Sequence, residues 1–156
     1  MTIRKALPKD AERIIHLLQQ VHELHAAIRP DIFISGKTKY TVPEYLEIIS
    51  NGNTPVFVAA DDSDAVQGYV FCQIKSQPFS TNMKDFKTLY IDDLCVDENR
   101  RGEHIGHLLF DYAKQYARDN GCYDMTLNVW EGNDTARKFY ENLGMFVKET
   151  QMEIIL

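Results

Sequence analysis

At 156 residues, with 44% hydrophobic and 26% charged content, the chain has the size and composition of one globular domain around a single core, and residues 1–156 are read as that domain. Lys and Arg total 17 against 23 Asp and Glu, and the net charge of −6 argues against a broad cationic surface for nucleic acid. Residues 1–10 hold no signal-peptide core and no apolar run approaches the ~18 residues of a membrane span, so a soluble, cytoplasmic protein without a membrane partner is expected.

Ile3 to Ala6 reads as a first strand, stopped by Pro8. From Asp10 to Ile28, apolar residues recur at helical spacing (Ile14, Leu17, Leu18, Val21, Leu24, Ile28), with Asp10 placed to cap the first turn and Pro30 ending the run. Pro43 suits the first turn of a second helix with Tyr45, Leu46, Ile48 and Ile49 inward, closed by Asn51-Gly52. Val56–Ala60 and Val66–Ile74, joined by an acidic turn, predict an antiparallel hairpin, and Gln77–Phe86 a loop. Thr88–Val96 and Asp124–Val129 are strands separated by a helix over 105–120, which implies a right-handed crossover and parallel pairing. That helix shows Leu108, Leu109, Tyr112, Ala113, Tyr116 and Ala117 on one face. A last helix over about 134–143 stops at Gly144, and Phe146–Leu156 reads as a final strand. The expected class is mixed α/β, a twisted mixed sheet of about six strands with about four helices. Cys72, Cys95 and Cys122 are scattered and lack CxxC spacing, which points to reduced, structural thiols and to no metal site.

The informative stretch starts where the strand ending Leu94-Cys95-Val96 leads through Arg100-Arg101-Gly102-Glu103-His104-Ile105-Gly106 into a helix. A strand, a glycine-bearing loop and a helix N-terminus gather free N–H groups at the positive end of a helix dipole, which suits a pyrophosphate. Such turns also occur without a ligand. Further on, Asn133…Ala136…Phe139-Tyr140-Glu141-Asn142-Leu143-Gly144-Met145 sets a tyrosine in a short helix.

These two segments together resemble the signatures of the GNAT superfamily of N-acetyltransferases. Arg101–Gly106 resembles its Arg/Gln-x-x-Gly-x-Gly/Ala pyrophosphate loop, and the segment from Asn133 its Asn-x-x-Ala-x-x-Phe-Tyr-x-x-x-Gly-Phe helix; element order agrees over most of the chain. The resemblance implies acetyl-CoA as donor, held by Arg101, Gly102, Glu103, His104, Ile105, Gly106 and His107, with its pantetheine arm along Leu94, Cys95 and Val96 between the fourth and fifth strands. It also implies that Tyr140 protonates the departing thiolate, where the helical pattern alone makes it a core tyrosine. Asn133 is an N-cap, a ligand of the CoA arm, or both. One position departs from the family loop: its first glycine is His104 here, tolerated at negative φ with the ring turned out to solvent, or else a donor to phosphate. His107 contacts the cofactor or faces water.

An amine must lose a proton before it attacks a thioester, and Asp92 and Asp93, in an otherwise apolar strand, are the candidate bases. Alternation puts them on opposite faces, one toward the acceptor and one toward solvent or a partner; Asp93 is narrowly preferred. The alternative is a strand-edge carboxylate paired with Lys or Arg. By resemblance the first helix and following loop wall the acceptor site, through His25, Arg29 and Phe33, with His22, Glu23, Asp31 and Tyr40 also within that region and Asn128 orienting substrate from the fifth strand. The expected function is acetyl transfer to a primary amine, on a small molecule or a protein or peptide, by direct attack in a ternary complex; a homodimer is possible by resemblance. A noncatalytic acyl-CoA-binding module of the same fold is the competing class.

Overall fold

The computed structural model describes residues 1–78 and 80–156; Phe79, within the expected loop, lies outside the described residues. A five-stranded sheet runs in chain order: β1 (Thr2–Lys5), β2 (Val56–Ala60), β3 (Val66–Ser76), β4 (Lys87–Val96) and β5 (Asp124–Leu127). The first four pair antiparallel and β4 pairs parallel to β5, as the intervening helix requires. Four α-helices cover it: α1 (Ala11–Ile28), α2 (Val42–Ser50), α3 (Ile105–Asp119) and α4 (Asp134–Asn142).

The sheet separates two cores, and strand alternation assigns residues to them. On one face Ile14, Leu17 and Leu18 of α1 and Tyr45 of α2 meet Val58, Tyr69 and Phe71. On the other, Ile105, Leu109, Phe110 and Ala113 of α3 meet Phe57, Ala59, Val70 and Leu89, with Tyr140 of α4 and Leu143 just after it at the margin. Gly68 lets α3 close on the sheet: a Cβ there would lie 2.8 Å from the Cys95 carbonyl oxygen and 3.2 Å from Leu109. Tyr45 ties α2 to the first turn of the chain by donating its hydroxyl to the Leu7 carbonyl at 2.8 Å.

Several expectations are corrected. Asp10 does not cap α1; its carboxylate takes two hydrogen bonds from Arg4, at 2.7 and 2.9 Å, and one from the Leu7 amide, so it locks the first strand to the turn before α1. Leu24, Leu46 and Leu108 are exposed rather than core, while Phe110 joins the buried face of α3. The α2 C-terminus is not a left-handed cap, since Asn51 has φ −95°. Phe146–Leu156 forms no strand, so the sheet has five strands among the described residues, not six: the segment's backbone makes no hydrogen bond to any of them.

Candidate active site

Pairing between β4 and β5 ends at Ile91 and Leu127, yet β4 continues to Val96. The two parallel strands therefore splay apart, and the β5-side backbone of Leu94–Val96 is left without a strand partner while β3 pairs on the other side. The splay is part of a continuous cavity of about 2410 Å³ that also runs along α1 and the loop after it, α4, and the space beside residues 146–153.

Just beyond the splay, the chain turns into the loop before α3. Asp97 is buried, paired with Arg13 of α1, and accepts the Asn99 amide at 2.8 Å, which fixes the loop's entrance. Arg100 and Glu103 pair through two bonds of 2.8 Å. Among the described residues no acceptor takes the backbone N–H of Arg101 through His107. That run of free donors at the N-terminus of α3, with Gly102 at φ 84°, has the form of an anion cradle.

Two loop expectations change. His104 has φ 60° and ψ 14°, the left-handed conformation, not the negative φ under which histidine is tolerated freely. Its ring is exposed and meets His107 edge-on at 5.3 Å, and His107 meets Phe139 of α4 at 5.3 Å. Gly106 serves helix packing: a Cβ there would lie 3.1 and 3.3 Å from Phe139. This glycine lets α3 and α4 approach closely, so α4 presents Tyr140 to the splay.

Asn133 caps α4, its side chain accepting the Ala136 amide at 3.3 Å. Tyr140 packs on Phe139 and Phe110, at 5.1 and 6.3 Å, and its hydroxyl makes no hydrogen bond among the described residues. Burial first, then the negative potential of Asp93, raises its pKa, so the phenol stays protonated through neutral pH.

Asp92 and Asp93 depart from the alternation expected of them. Phe71 pairs with Asp93 and the next residue, Cys72, with Ile91, so Asp92 is the extra residue of a β-bulge. Before the bulge Leu89 and Ile91 face α3; after it Cys95 faces α1. Both carboxylates accordingly face the α1–α2 side. Asp92 accepts the Tyr40 hydroxyl at 2.6 Å and the Lys39 ammonium at 3.0 Å, so it is already neutralised. Asp93 has no cation on it and is buried; desolvation pushes its carboxyl up to about 6, with Lys39 opposing and Asp92 adding to the shift. Tyr69 of β3 is fully buried, its phenol pKa raised by burial and then by Asp93, and its hydroxyl has no partner at bonding distance among the described residues.

The acceptor-side expectations come together only in part. Phe33 gathers His22, His25 and Trp130 at ring distances of 5.7, 5.5 and 5.4 Å, so the loop after α1 meets the loop after β5 across the cleft. Burial, then the charges of Lys39 and His22, lowers the His25 pKa and favours its neutral form. Arg29 is held by Asp31, at 2.9 and 2.6 Å, and by Glu153 at 2.5 Å, so no free guanidinium faces the cleft from that position. Asn128 donates to the Tyr90 hydroxyl at 3.3 Å, and the Lys75 ammonium lies 3.7 Å from the Tyr90 ring centre. Lys39 and Tyr69 were not anticipated from the sequence. The one local signal for Tyr69 was a phenol inside an apolar run, and Lys39 sits 53 residues from the carboxylate it pairs with.

A family model described as acetyltransferase (GNAT) family matches residues 18–145, most of the chain. The chain belongs to that family. This acetyltransferase is 26% identical to the thialysine N-epsilon-acetyltransferase of Bos taurus, over 91% of this chain and 82% of that protein. Its structure superposes on a single-residue variant of the BH1408 protein from Bacillus halodurans with a TM-score of 0.96, at 35% identity, covering 100% and 99% of the two chains. The glucosamine-6-phosphate N-acetyltransferase of Arabidopsis thaliana superposes with a TM-score of 0.71 at 25% identity, over 99% and 97%. The GNAT fold and an acetyltransferase activity follow from these likenesses, and the family generally uses acetyl-CoA. Among the described residues no helix is long and apolar enough to cross a membrane.

Proposed function

We propose that this enzyme moves the acetyl group of acetyl-CoA directly to a primary amine, with Asp93 as base and Tyr140 as acid. The observation that carries the reading is the splay itself. It opens unpaired β4 backbone at Leu94–Val96 between an uncompensated carboxylate, Asp93, and a free phenol, Tyr140. The pyrophosphate of the donor is assigned to the free amides from Arg101 to His107, and its pantetheine arm to the open edge of Leu94–Val96.

The amine enters from the acceptor cleft and passes its proton to Asp93, directly or through water. An alkyl ammonium has a pKa of ~10 and an ordinary aspartate ~4, a gap of ~6 units; a carboxyl near 6 reduces it by about 2 units, worth ~3 kcal/mol. The neutral nitrogen attacks the thioester carbonyl, whose oxygen takes up negative charge opposite a backbone N–H at Cys95 or Val96. The C–S bond then breaks as Tyr140 gives its proton to the thiolate, and the nitrogen, which still carries one proton more than the amide product, releases it through solvent, which restores the phenol. A covalent cysteine intermediate is disfavoured, because burial pushes the Cys95 thiol up to about 12.

The relatives' names, which specify thialysine and glucosamine 6-phosphate, support a small amine as acceptor. The test is thiol release from acetyl-CoA across a panel of amino acids, amino sugars, polyamines and peptides, with calorimetry of CoA binding alongside. Acetyl-CoA binding without thiol release on any amine would replace this reading with a noncatalytic CoA-binding module.

A further inference from the structure

Beyond Phe71 the α1–α2 side of the sheet turns polar. Gln73 pairs with Tyr90 and Lys75 with Thr88, and Tyr90 pairs in turn with Thr126, so these five side chains share one side. The alternate residues Ile74, Leu89, Ile91, Met125 and Leu127 face α3. The core under α1 and α2 gathers at Val58, Tyr69, Phe71 and Cys95 and takes in none of the five. Lys75, Tyr90 and Thr126 instead line the cleft that holds Asp93 and Asn128.

Lys75 is the unpaired cation of this face. Its Nζ lies 3.7 Å from the ring centre of Tyr90, and among the described residues no carboxylate pairs with it. The neighbouring cations are occupied: Arg29 by Asp31 and Glu153, Lys39 by Asp92, and Lys148 by Asp124. The Tyr90 hydroxyl accepts from the Asn128 side-chain amide at 3.3 Å, and its own O–H has no acceptor among the described residues. An ammonium above the ring and a hydroxyl at its edge thus leave free donors side by side, carrying a single positive charge. One carboxylate matches that set in charge and in its two oxygens; a phosphate dianion would keep a charge uncompensated.

The pairing register sets the length of a molecule that reaches both this pair and the base. Tyr90 pairs with Gln73 and Asp93 with Phe71, two residues apart on β3, so the two positions stand roughly 7 Å apart along the sheet. We propose that the acceptor is an ω-amino carboxylate, its amine at Asp93 and its carboxylate between Lys75 and the Tyr90 hydroxyl, with about five methylenes to span the distance. The inference rests on the acetyl-transfer reading above and adds a substrate class to it. The two ends of such a molecule meet opposite charges, an aspartate at one and a lysine at the other. A diamine of the same length would bring its second ammonium against Lys75, so the residue that selects the carboxylate also rejects the polyamine.

The test compares ε-aminocaproate, hexylamine and hexamethylenediamine, equal in carbon count, by thiol release from acetyl-CoA. In the parent, kcat/KM should favour ε-aminocaproate over hexylamine by about tenfold or more, the worth of a hydrogen bond to a charged group, and the diamine should rank last. Lys75→Met keeps the apolar stem beside Tyr90 and removes the charge, and should bring the ratio of ε-aminocaproate to hexylamine near one. Lys75→Glu should reverse the order and put the diamine first, and Tyr90→Phe should lower the ratio by less than Lys75→Met does. Calorimetry of ε-aminocaproate on the CoA-bound enzyme makes the comparison without turnover, with about tenfold weaker binding expected for Lys75→Met. Absence of thiol release from every amine would reject acetyl transfer, and the calorimetric difference would still decide the subsite. A parent without preference for the carboxylate, a preference that Lys75→Met retains, or equal binding by parent and Lys75→Met would each overturn the proposal and leave Lys75 a solvated surface lysine.

Discussion

Asp92 and Asp93 are adjacent in β4 and face the same side of the sheet, because Asp92 is the unpaired residue of a bulge. The bulge divides labour between two identical side chains. Asp92 takes the phenol of Tyr40 and the ammonium of Lys39, while Asp93 is desolvated with no cation on it. Burial of a carboxyl costs stability at neutral pH and makes it a better base, so one residue carries both consequences.

Asp93→Asn is therefore expected to lower turnover and raise stability at once. A folded-state pKa near 6, above that of the unfolded chain, gives stability that is complete below the unfolded value and lost as pH rises toward 6 and beyond. The amide lacks that loss, so near pH 7 it should melt higher, by an amount of up to ~3 kcal/mol. Its turnover should fall and lose the acidic limb near pH 6. Calorimetric melting against pH and a pH–rate profile read the two effects separately; a variant that is both less active and less stable would mean Asp93 is structural.

The Lys39–Tyr40 clamp tunes that base. The Lys39 charge lowers the Asp93 pKa and the Asp92 charge raises it. Lys39→Met should move the acidic limb of kcat/KM to higher pH, and Asp92→Asn should move it to lower pH. Limbs that stay in place in both variants would assign the limb to another group.

His104→Gly tests backbone strain in the phosphate loop. At φ 60° a residue with a Cβ pays about 1–2 kcal/mol that glycine does not. Part of the gain is offset by the greater freedom of glycine in the unfolded chain, so a net stabilisation of ~0.5–1 kcal/mol is expected, a rise of a few degrees in melting temperature. Acetyl-CoA should bind at least as tightly by calorimetry. Weaker binding would show that the imidazole touches a phosphate.

Gly106→Ala should affect chemistry more than cofactor binding. The added methyl meets Phe139 at 3.1 Å and pushes α4, hence Tyr140, away from the splay. Turnover should drop while the CoA dissociation constant changes little, and trimming the obstacle with Phe139→Leu should restore part of the turnover. If the double variant is no better than Gly106→Ala, the methyl acts on the ligand instead.

The hairpin β2–β3, the crossover through α3 and the loop before it were legible because their signals are local: strand period, helix period, and glycines at a strand-to-helix turn. The bulge was not, since it arises from the pairing of β4 with β3, and period-2 alternation assumes an unbroken register. Nor was the Lys39–Asp92 pair, which joins segments 53 residues apart. Phe146–Leu156 has the apolar alternation of a strand, but alternation reports a capacity to pair, not the presence of a partner. His104 shows the converse: a left-handed position is announced by glycine, and once glycine is replaced the sequence no longer marks it.

Tyr140→Phe separates the acid from the ring. The hydroxyl makes no hydrogen bond among the described residues, so its removal orphans nothing, and Phe keeps the contacts with Phe139 and Phe110. Stability and CoA affinity should change little. Turnover should fall roughly 10²- to 10⁴-fold, the usual contribution of a positioned proton donor. Because burial and Asp93 raise the phenol's pKa, the parent should show no alkaline loss of rate from Tyr140 up to the ordinary tyrosine range. Acyl donors with more acidic thiols should narrow the difference between parent and variant, since their thiolates leave without protonation. Near-parental turnover of Tyr140→Phe, with the chemical step shown to be rate-limiting, would return Tyr140 to a packing role and pass the proton to water.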